Sequence, residues 1–200
     1  MPVDVDAVVV SNSLLSSSYN VLALAAPEIA SRARPGQFVM VKPRKGNDTL
    51  LRRPFSVFEV LQDDNQQITG MSLLNKQVGV TTRALFQLSR GEHVQCLGPL
   101  GHPFSVAKRP ERAWMVAGGV GLAPFYTLAT ALRKQGVDST LFYGGRSSSD
   151  LFHLQAFRNL GVGLELATDD GSKGHHGQIT VLLEQALSRL DQTTPVRLYA

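Results

Sequence analysis

The chain has 200 residues, of which 43% are hydrophobic and 18% charged, and its formal net charge is +4. This composition excludes global disorder, and the length allows two domains of about 100 residues each or one larger domain. The 20 Lys and Arg residues are scattered, and no apolar stretch approaches the roughly 20 residues of a membrane span. We therefore expect a cytoplasmic protein that binds neither nucleic acid nor membrane.

Short alternating strands fill the first half of the sequence. The alternation begins with Val3, Val5, Ala7 and Val9, which recur with period two. Further candidate strands cover residues 20–24, 37–42, 55–61, 67–74 and 93–97, and one short helix covers 82–88. About six short antiparallel strands favour a small closed β-barrel.

The second half alternates strand and helix. Candidate strands at 114–117, 141–143, 164–168 and 196–199 are separated by three helical patterns. The first carries Leu128, Ala131 and Leu132 on one face and ends at Gln135-Gly136, and the others lie near 154–159 and 183–190. This alternation predicts a parallel sheet with right-handed crossovers, hence an α/β domain. Lys108, Arg109 and Pro110 interrupt both patterns, so we divide the chain into domains 1–107 and 108–200. We expect a ligand-binding loop after the fourth strand, and the second domain is therefore expected to be incomplete at its carboxyl terminus.

A glycine-rich turn joins the first parallel strand to a helix. Its candidate cofactor-binding residues are Gly118, Gly119, Val120, Gly121, Ala123 and Pro124. Glycines let backbone amides approach a pyrophosphate, and Pro124 suits a first helical turn. A tight turn chosen only for packing is the alternative.

Polar residues follow the next two strands. Gly144 and Arg146 come after the second, where Arg146 could contact the adenosine ribose or the extra phosphate of NADP, or could be a solvated surface arginine. Asp169 and Asp170 come after the third, where they could accept hydrogen bonds from ribose hydroxyls or form an Asx-turn before Gly171.

The segment Arg53-Pro54-Phe55-Ser56 places a cation, a ring and a hydroxyl at the start of a strand. An arginine can pair with a diphosphate, a ring can lie against a flavin, and a hydroxyl can reach a ring nitrogen. A surface charge pair beside a core phenylalanine explains the same residues equally well.

Five motifs in this order resemble the ferredoxin-reductase superfamily and, within it, the electron-transfer subunits of NAD-dependent dihydroorotate dehydrogenases. They are Pro35-Gly36-Gln37-Phe38, Arg52-Arg53-Pro54, Gly98-Pro99-Leu100-Gly101, Tyr143-Gly144-Gly145-Arg146 and Thr168-Asp169-Asp170-Gly171-Ser172. The resemblance spans nearly the whole chain. It implies an FAD-binding β-barrel followed by an NAD(P)-binding α/β domain, with NAD(H) or NADP(H) as the substrate.

The resemblance also implies roles for single residues. Arg53 would bind the FAD diphosphate, Phe55 would line the flavin, and Ser56, the one candidate catalytic residue, would hydrogen-bond near the reactive ring nitrogen. Leu74, Asn75 and Lys76 would form a second edge of the flavin site. Thr81 and Thr82 would hold the diphosphate through amides and a hydroxyl.

In this family, electrons pass through a [2Fe-2S] centre to a catalytic dehydrogenase subunit of pyrimidine biosynthesis. The sequence has one cysteine, so none of these residues is expected to ligate a cluster or any other metal. Two alternatives stay open. One is a reductase subunit that serves ferredoxin, hydrogenase or sulfite reductase, and the other is a non-catalytic scaffold with a decayed flavin site.

Two smaller features receive structural interpretations. Cys96 lies in a strand pattern, so we expect a buried small side chain rather than a reactive thiol. His175 and His176 stand between glycines and are expected in a mobile loop.

Overall fold

The computed structural model describes residues 1–44, 51–190 and 193–200. The chain divides into two compact units, Met1–Phe104 and Ser105–Ala200. The assignment of residues 1–107 and 108–200 to separate functional domains stays a prediction. None of the described helices is both long and apolar enough to cross a membrane.

The first unit is a curled antiparallel sheet. Its strands are β1 (Val3–Leu14), β2 (Tyr19–Ala25), β3 (Phe38–Pro43), β4 (Arg53–Ser56), β5 (Glu59–Gln62), β6 (Ile68–Lys76) and β7 (His93–Leu100), with short helices α1 (Pro27–Ala30) and α2 (Val80–Phe86). The strand order is β4-β3-β7-β1-β2-β6-β5. The predicted antiparallel barrel is confirmed.

The curl of this sheet follows from its connectivity. Strands β4 and β5 stand at opposite ends of the strand order, yet only Val57 and Phe58 lie between them in the chain. Two residues span less than about 11 Å even when extended, so the two ends of the sheet must come together. The single strand predicted over 55–61 is therefore wrong. Val57 and Phe58 are buried at the corner, and the chain changes its pairing partner from β3 to β6 there.

A hydrophobic core fills the barrel. Alternate residues of the strands point inward, as the period of two requires. Ile29 of α1 and Leu85 of α2 are fully buried and complete this core. The core-forming role of α2 matters because this helix also carries the Thr81 and Thr82 expected at the flavin site.

Two of the sequence motifs form one structural unit at the entrance to β3. Gln37 accepts a hydrogen bond from the Arg34 amide at 3.0 Å, and its Nε2 donates to the Gly101 carbonyl at 2.9 Å. The Phe104 amide donates to the Pro35 carbonyl at 2.8 Å. The Pro-Gly-Gln-Phe and Gly-Pro-Leu-Gly motifs thus hold the start of β3 against the end of β7.

The second unit is a five-stranded parallel sheet with helices. Its elements are β8 (Arg112–Gly118), α3 (Ala123–Lys134), β9 (Ser139–Gly145), α4 (Leu154–Asn159), β10 (Gly163–Thr168), β11 (His175–His176), α5 (Ile179–Ser188) and β12 (Val196–Tyr199). The order is β11-β10-β9-β8-β12, with parallel pairing throughout. The α/β prediction is confirmed, including the fourth strand beside the first.

The loop predicted around His175 and His176 is wrong. These residues form β11 and pair with Ala167 and Thr168 at the edge of the sheet. The Thr168 hydroxyl explains the ordering, since it accepts a hydrogen bond from the Lys173 amide and donates one to the Lys173 carbonyl, both at 3.0 Å. The threonine therefore closes the loop and returns the chain to its own strand.

The turn before β3 gives a stability prediction. Gly36 has φ +87°, and an added Cβ would lie 2.8 Å from the Phe104 ring, whereas Gly91 has φ +88° and open space around an added Cβ. We expect Gly91→Ala to lower the free energy of unfolding by about 1–2 kcal/mol through backbone strain alone. Gly36→Ala should cost at least about 1 kcal/mol more because it also overpacks the ring. Urea denaturation of both variants measures the difference, and equal losses would contradict this role of Phe104.

Candidate functional site

The two arginines before and at the start of β4 have different environments. Arg52 donates through Nη2 to both carboxylate oxygens of Asp4 at 2.9 Å. Arg53 is exposed, and within the described ranges no side chain or carbonyl pairs with its guanidinium. An anionic ligand needs an arginine whose charge is still available, so Arg53 is the better candidate for a diphosphate.

The rest of the Arg-Pro-Phe-Ser segment lies on an end strand of the sheet. Pro54 lacks an amide hydrogen, which an edge strand tolerates. Phe55 is half-buried and packs against the barrel core, while Ser56 is half-buried at the strand's end opposite Phe38. The alternative interpretation of this segment was a surface charge pair beside a core phenylalanine. It applies to Arg52, which pairs with Asp4, and in part to Phe55, which packs against the core. Arg53 and Ser56 remain as candidate ligand contacts.

The end of β6 supplies the second predicted edge of the flavin site. Leu74 and Asn75 are buried, so Leu74 can offer a ligand little more than its backbone. Lys76 is half-exposed, and its Nζ lies 4.8 Å from the centre of the Tyr19 ring, within range of a cation–π interaction. The lysine is therefore held at the surface beside the end of the strand.

The start of α2 offers amides more readily than hydroxyls. Thr82 Oγ1 accepts hydrogen bonds from the amides of Val78 and Gly79 at 2.8 and 2.9 Å, and the Thr81 side chain is buried. The first-turn amides of a helix have no intrahelical acceptor. The Thr82 hydroxyl caps its own helix, so the amides of the turn are the donors that remain available for the predicted diphosphate contact.

The glycine-rich turn of the second unit lies at the carboxyl end of the interior strand β8. Gly118, Val120 and Gly121 are exposed, and added Cβ atoms at Gly118 and Gly121 would meet no atom within 4 Å. Gly118 has an ordinary extended backbone at φ −129°, so neither packing nor backbone strain requires a glycine there. The space that these glycines leave open lies where α/β sheets bind ligands.

The other residues of the turn serve the fold. Gly119 has φ +50°, which favours glycine, and Ala123 is buried. Pro124 lies in the first turn of α3, the position that its fixed φ angle suits.

Tyr143 positions this turn and was not among the predicted site residues. Its buried hydroxyl lies 3.0 Å from the Gly119 carbonyl and 2.9 Å from the Asp150 carbonyl. The hydroxyl therefore links the turn after β8 to the loop after β9. The sequence feature that could have identified it is a tyrosine at the end of an apolar strand, directly before Gly144.

The two predicted cofactor-binding residues around the end of strand β9, Gly144 and Arg146, have different environments. An added Cβ at Gly144 would lie 3.1 Å from Ile179, so packing against α5 explains this glycine. Arg146 is 76% exposed, with Nε 3.6 Å from Asp150 Oδ2. Its guanidinium is available at the surface but lies beside a carboxylate.

The two aspartates after β10 also differ. Asp170 Oδ1 accepts hydrogen bonds from the amide and hydroxyl of Ser172 at 2.9 and 2.6 Å, and these bonds lower the pKa of its carboxyl group. Asp170 therefore forms the Asx-turn that was the alternative interpretation. Asp169 is exposed, and its amide donates to the Gly145 carbonyl at 3.1 Å, which joins its backbone to the end of β9.

The structure agrees with the interpretation of Cys96. The side chain is fully buried, and burial raises the pKa of its thiol to about 12. Across residues 1–44, 51–190 and 193–200 there is no group of three or more His, Cys, Asp or Glu that could hold a metal ion. The described residues therefore do not fit an iron–sulfur centre.

The open glycines give a binding prediction. We expect Gly118→Ala and Gly121→Ala to keep the thermal midpoint of the wild type but to raise the Kd for NADH at least about tenfold, because the methyl group enters the ligand's space. Gly144→Ala is the matched control, since its methyl group presses on Ile179 and should lower stability instead. Calorimetric titration and thermal unfolding of the three variants separate the two effects. Unchanged NADH binding in the first two would contradict the assignment.

Comparison with known proteins gives two consecutive family matches. A family model for the oxidoreductase FAD-binding domain matches residues 6–104, and one for the oxidoreductase NAD-binding domain matches residues 115–194. The two matches follow the order of the barrel and the parallel sheet along the chain.

Curated relatives match over most of this chain. The dihydroorotate dehydrogenase B (NAD(+)) electron transfer subunit of Geobacillus thermodenitrificans is 36% identical, covering 88% of this chain and 68% of that protein. The subunit of the same name from Enterococcus faecalis strain OG1RF is 36% identical over 80% of this chain and 60% of its own length. The chain thus spans about two thirds of the length of these relatives.

Solved structures share the fold. An NADH-dependent reduced ferredoxin-NADP oxidoreductase, studied for flavin-based electron bifurcation, superposes with a TM-score of 0.78 at 25% identity over 92% of this chain and 64% of that one. The ferredoxin reductase of a carbazole 1,9a-dioxygenase has a TM-score of 0.78 at 20% identity, over 98% of this chain and 61% of that one. The family matches and the curated relatives assign an oxidoreductase whose cofactors are FAD and NAD(H). The chain belongs to the electron transfer subunits of dihydroorotate dehydrogenase B, within the ferredoxin-reductase superfamily.

Proposed function

We propose that this chain moves electrons between NAD(H) and the catalytic subunit of a dihydroorotate dehydrogenase in pyrimidine biosynthesis, with which it forms a hetero-oligomer. One observation carries the proposal. A single chain holds both an arginine with no partner among the described residues, on a flavin-type barrel, and an open glycine turn on a parallel sheet. The names of the relatives favour this catalytic partner over ferredoxin, hydrogenase or sulfite reductase. The intact features at both sites argue against a decayed scaffold.

The protein's own residues position the cofactors and supply no acid or base. Arg53 and the first-turn amides of α2 would hold the FAD diphosphate, and Ser56 would donate a hydrogen bond near the reactive edge of the flavin. The turn at Gly118 and Gly121 would hold the dinucleotide diphosphate. When bound, FAD supplies the exchange between a two-electron hydride and single electrons.

A [2Fe-2S] centre lies outside what these residues can build. Cys96 is the one cysteine of the 200 residues and is buried in the barrel core. Any cluster that connects FAD to the catalytic partner would need ligands from other residues. No step through a cluster is assigned to this chain.

The first test of the function is an anaerobic titration. The purified chain, reconstituted with FAD, should show flavin absorbance that NADH bleaches. After addition of a dihydroorotate dehydrogenase catalytic subunit, dihydroorotate should also bleach it. Loss of flavin binding would favour the scaffold, and bleaching by NADH but not by dihydroorotate would favour a different electron partner.

The two neighbouring arginines test the flavin site. We expect Arg53→Ala to raise the FAD Kd about tenfold or more, because it removes a charge-assisted bond to the diphosphate. Arg52→Ala removes the same charge but breaks the pair with Asp4, so its effect should fall on stability. FAD fluorescence titration and thermal unfolding compare them, and an equal effect of both variants on FAD affinity would contradict the division of roles.

We expect the loops after β9 and β10 to favour NADH over NADPH. Asp150 pairs with Arg146, and Asp169 is exposed in the adjacent loop, so a 2′-phosphate that comes near these loops would meet carboxylates. We expect Asp169→Asn to lower the NADH-to-NADPH ratio of kcat/KM by about threefold at low salt. Asp138→Asn removes the same charge at the amino end of β9 and should leave the ratio unchanged. Steady-state kinetics with both nucleotides checks this, and a ratio insensitive to Asp169 would count against the proposed orientation.

A further inference from the structure

The core-facing stripe of two neighbouring barrel strands changes chemistry at one end. On β2 the residues that share one face are Leu24, Leu22 and Asn20, on β6 they are Met71, Leu73 and Asn75, and all six are buried. The strands pair in register, with Asn20 directly opposite Asn75. Hydrocarbon side chains thus give way to two fully buried amides at the same level of the barrel.

These amides form a directional chain of hydrogen bonds with a third asparagine. Asn75 Nδ2 donates to Asn20 Oδ1 at 2.7 Å, and Asn20 Nδ2 donates to Asn12 Oδ1 at 2.6 Å. Asn12 Nδ2 in turn donates to the carbonyls of Phe86 and Leu88 at 2.9 and 2.7 Å. We call Asn12, Asn20 and Asn75 the amide relay.

The relay holds α2 at both ends. Asn75 Nδ2 also donates to the Thr82 carbonyl at 3.0 Å in the first turn, while Asn12 satisfies carbonyls at the last turn. The carbonyls at the last turn have no donor within a helix, so Asn12 supplies one from outside. A helix of 7 residues has little stability of its own, so these tertiary bonds and the buried Leu85 must fix its position.

Leucine at position 20 would have continued the apolar stripe. Buried polar groups demand fixed partners, and therefore they specify one arrangement where hydrocarbon packing would tolerate several. The arrangement specified here is that of residues 74–82, the segment that runs from the end of β6 into α2.

We infer that the amide relay sets FAD affinity by positioning residues 74–82, with Asn20 as its central positioning residue. The inference rests on the proposed flavin site, of which this segment is the second edge. None of the three side chains needs to touch FAD. The relay acts through the backbone of residues 74–82, to which it is joined by Asn75 itself and by the hydrogen bond from Asn75 to the Thr82 carbonyl.

The direction of the hydrogen bonds provides the test. Asn20→Asp keeps the side chain's shape but replaces the donor to Asn12 with a carboxylate oxygen. Asn12 must then turn its amide toward the carboxylate and release the carbonyls of Phe86 and Leu88. We expect the FAD Kd to rise about tenfold or more, and the visible circular dichroism of the bound flavin to change. Asn12→Asp is a second variant at a half-buried position, which keeps the test available if the first does not fold.

Val94→Ala is the control for general destabilisation. Val94 is fully buried on β7 in the same core, so its truncation should lower the thermal midpoint while the FAD Kd stays within about twofold of the wild type. Wild-type affinity and flavin spectrum in both asparagine variants would overturn the inference alone, provided that the wild type binds FAD. Failure of the wild type to bind FAD would overturn the proposed function and the inference together.

Discussion

The constraint on which this structure most depends is that buried backbone groups at the ends of its elements must find partners. Side chains meet it at each functional turn. Asn12 satisfies the last carbonyls of α2, Thr82 satisfies the amides before it, and Gln37 joins the entrance of β3 to Gly101. In the parallel sheet, Tyr143 holds the Gly119 carbonyl and Thr168 closes the loop to β11. The residues that shape the candidate sites are therefore largely residues that would not themselves contact a cofactor.

This division separates positioning residues from ligand contacts in both units. In the barrel, Arg52 forms an ion pair with Asp4, and Phe55 packs against the core. The charge of Arg53 is therefore the one available at the surface. In the sheet, packing explains Gly144, and the Asx-turn explains Asp170. Packing explains neither Gly118 nor Gly121. Glycines without a structural reason, at the carboxyl end of the interior strand β8, are what favours a dinucleotide site at this turn.

Hydride transfer between a nicotinamide and a flavin depends more on the relative position of the two cofactors than on acidic or basic side chains. A bound flavin and nicotinamide carry the reaction, so the protein contributes through orientation and charge. The one thiol of the chain is buried and strongly disfavoured as a thiolate, because burial raises its pKa to about 12. The positions of a few backbone turns, and the side chains that fix them, are accordingly where substitutions should change function most.

The sequence alone determined that a barrel comes first and a parallel sheet second. The first half has a hydrophobic period of two and the second half alternates strand and helix patterns, and both patterns are local properties of the sequence. It also located the Arg-Pro-Phe-Ser segment and the glycine turn, whose residue types have a chemistry of their own. Only the tertiary structure decided that residues 55–61 form two strands, that His175 and His176 pair with β10, and that Arg52 rather than Arg53 is neutralised. These outcomes depend on pairing that residue types alone do not specify: β4 pairs with β3, Arg52 pairs with the distant Asp4, and the histidines return to β10 after the loop that Thr168 closes. The amide relay belongs to the same class, since Asn75 lies 55 residues from Asn20 in the chain and the three asparagines share one hydrogen-bond path only after the strands have paired.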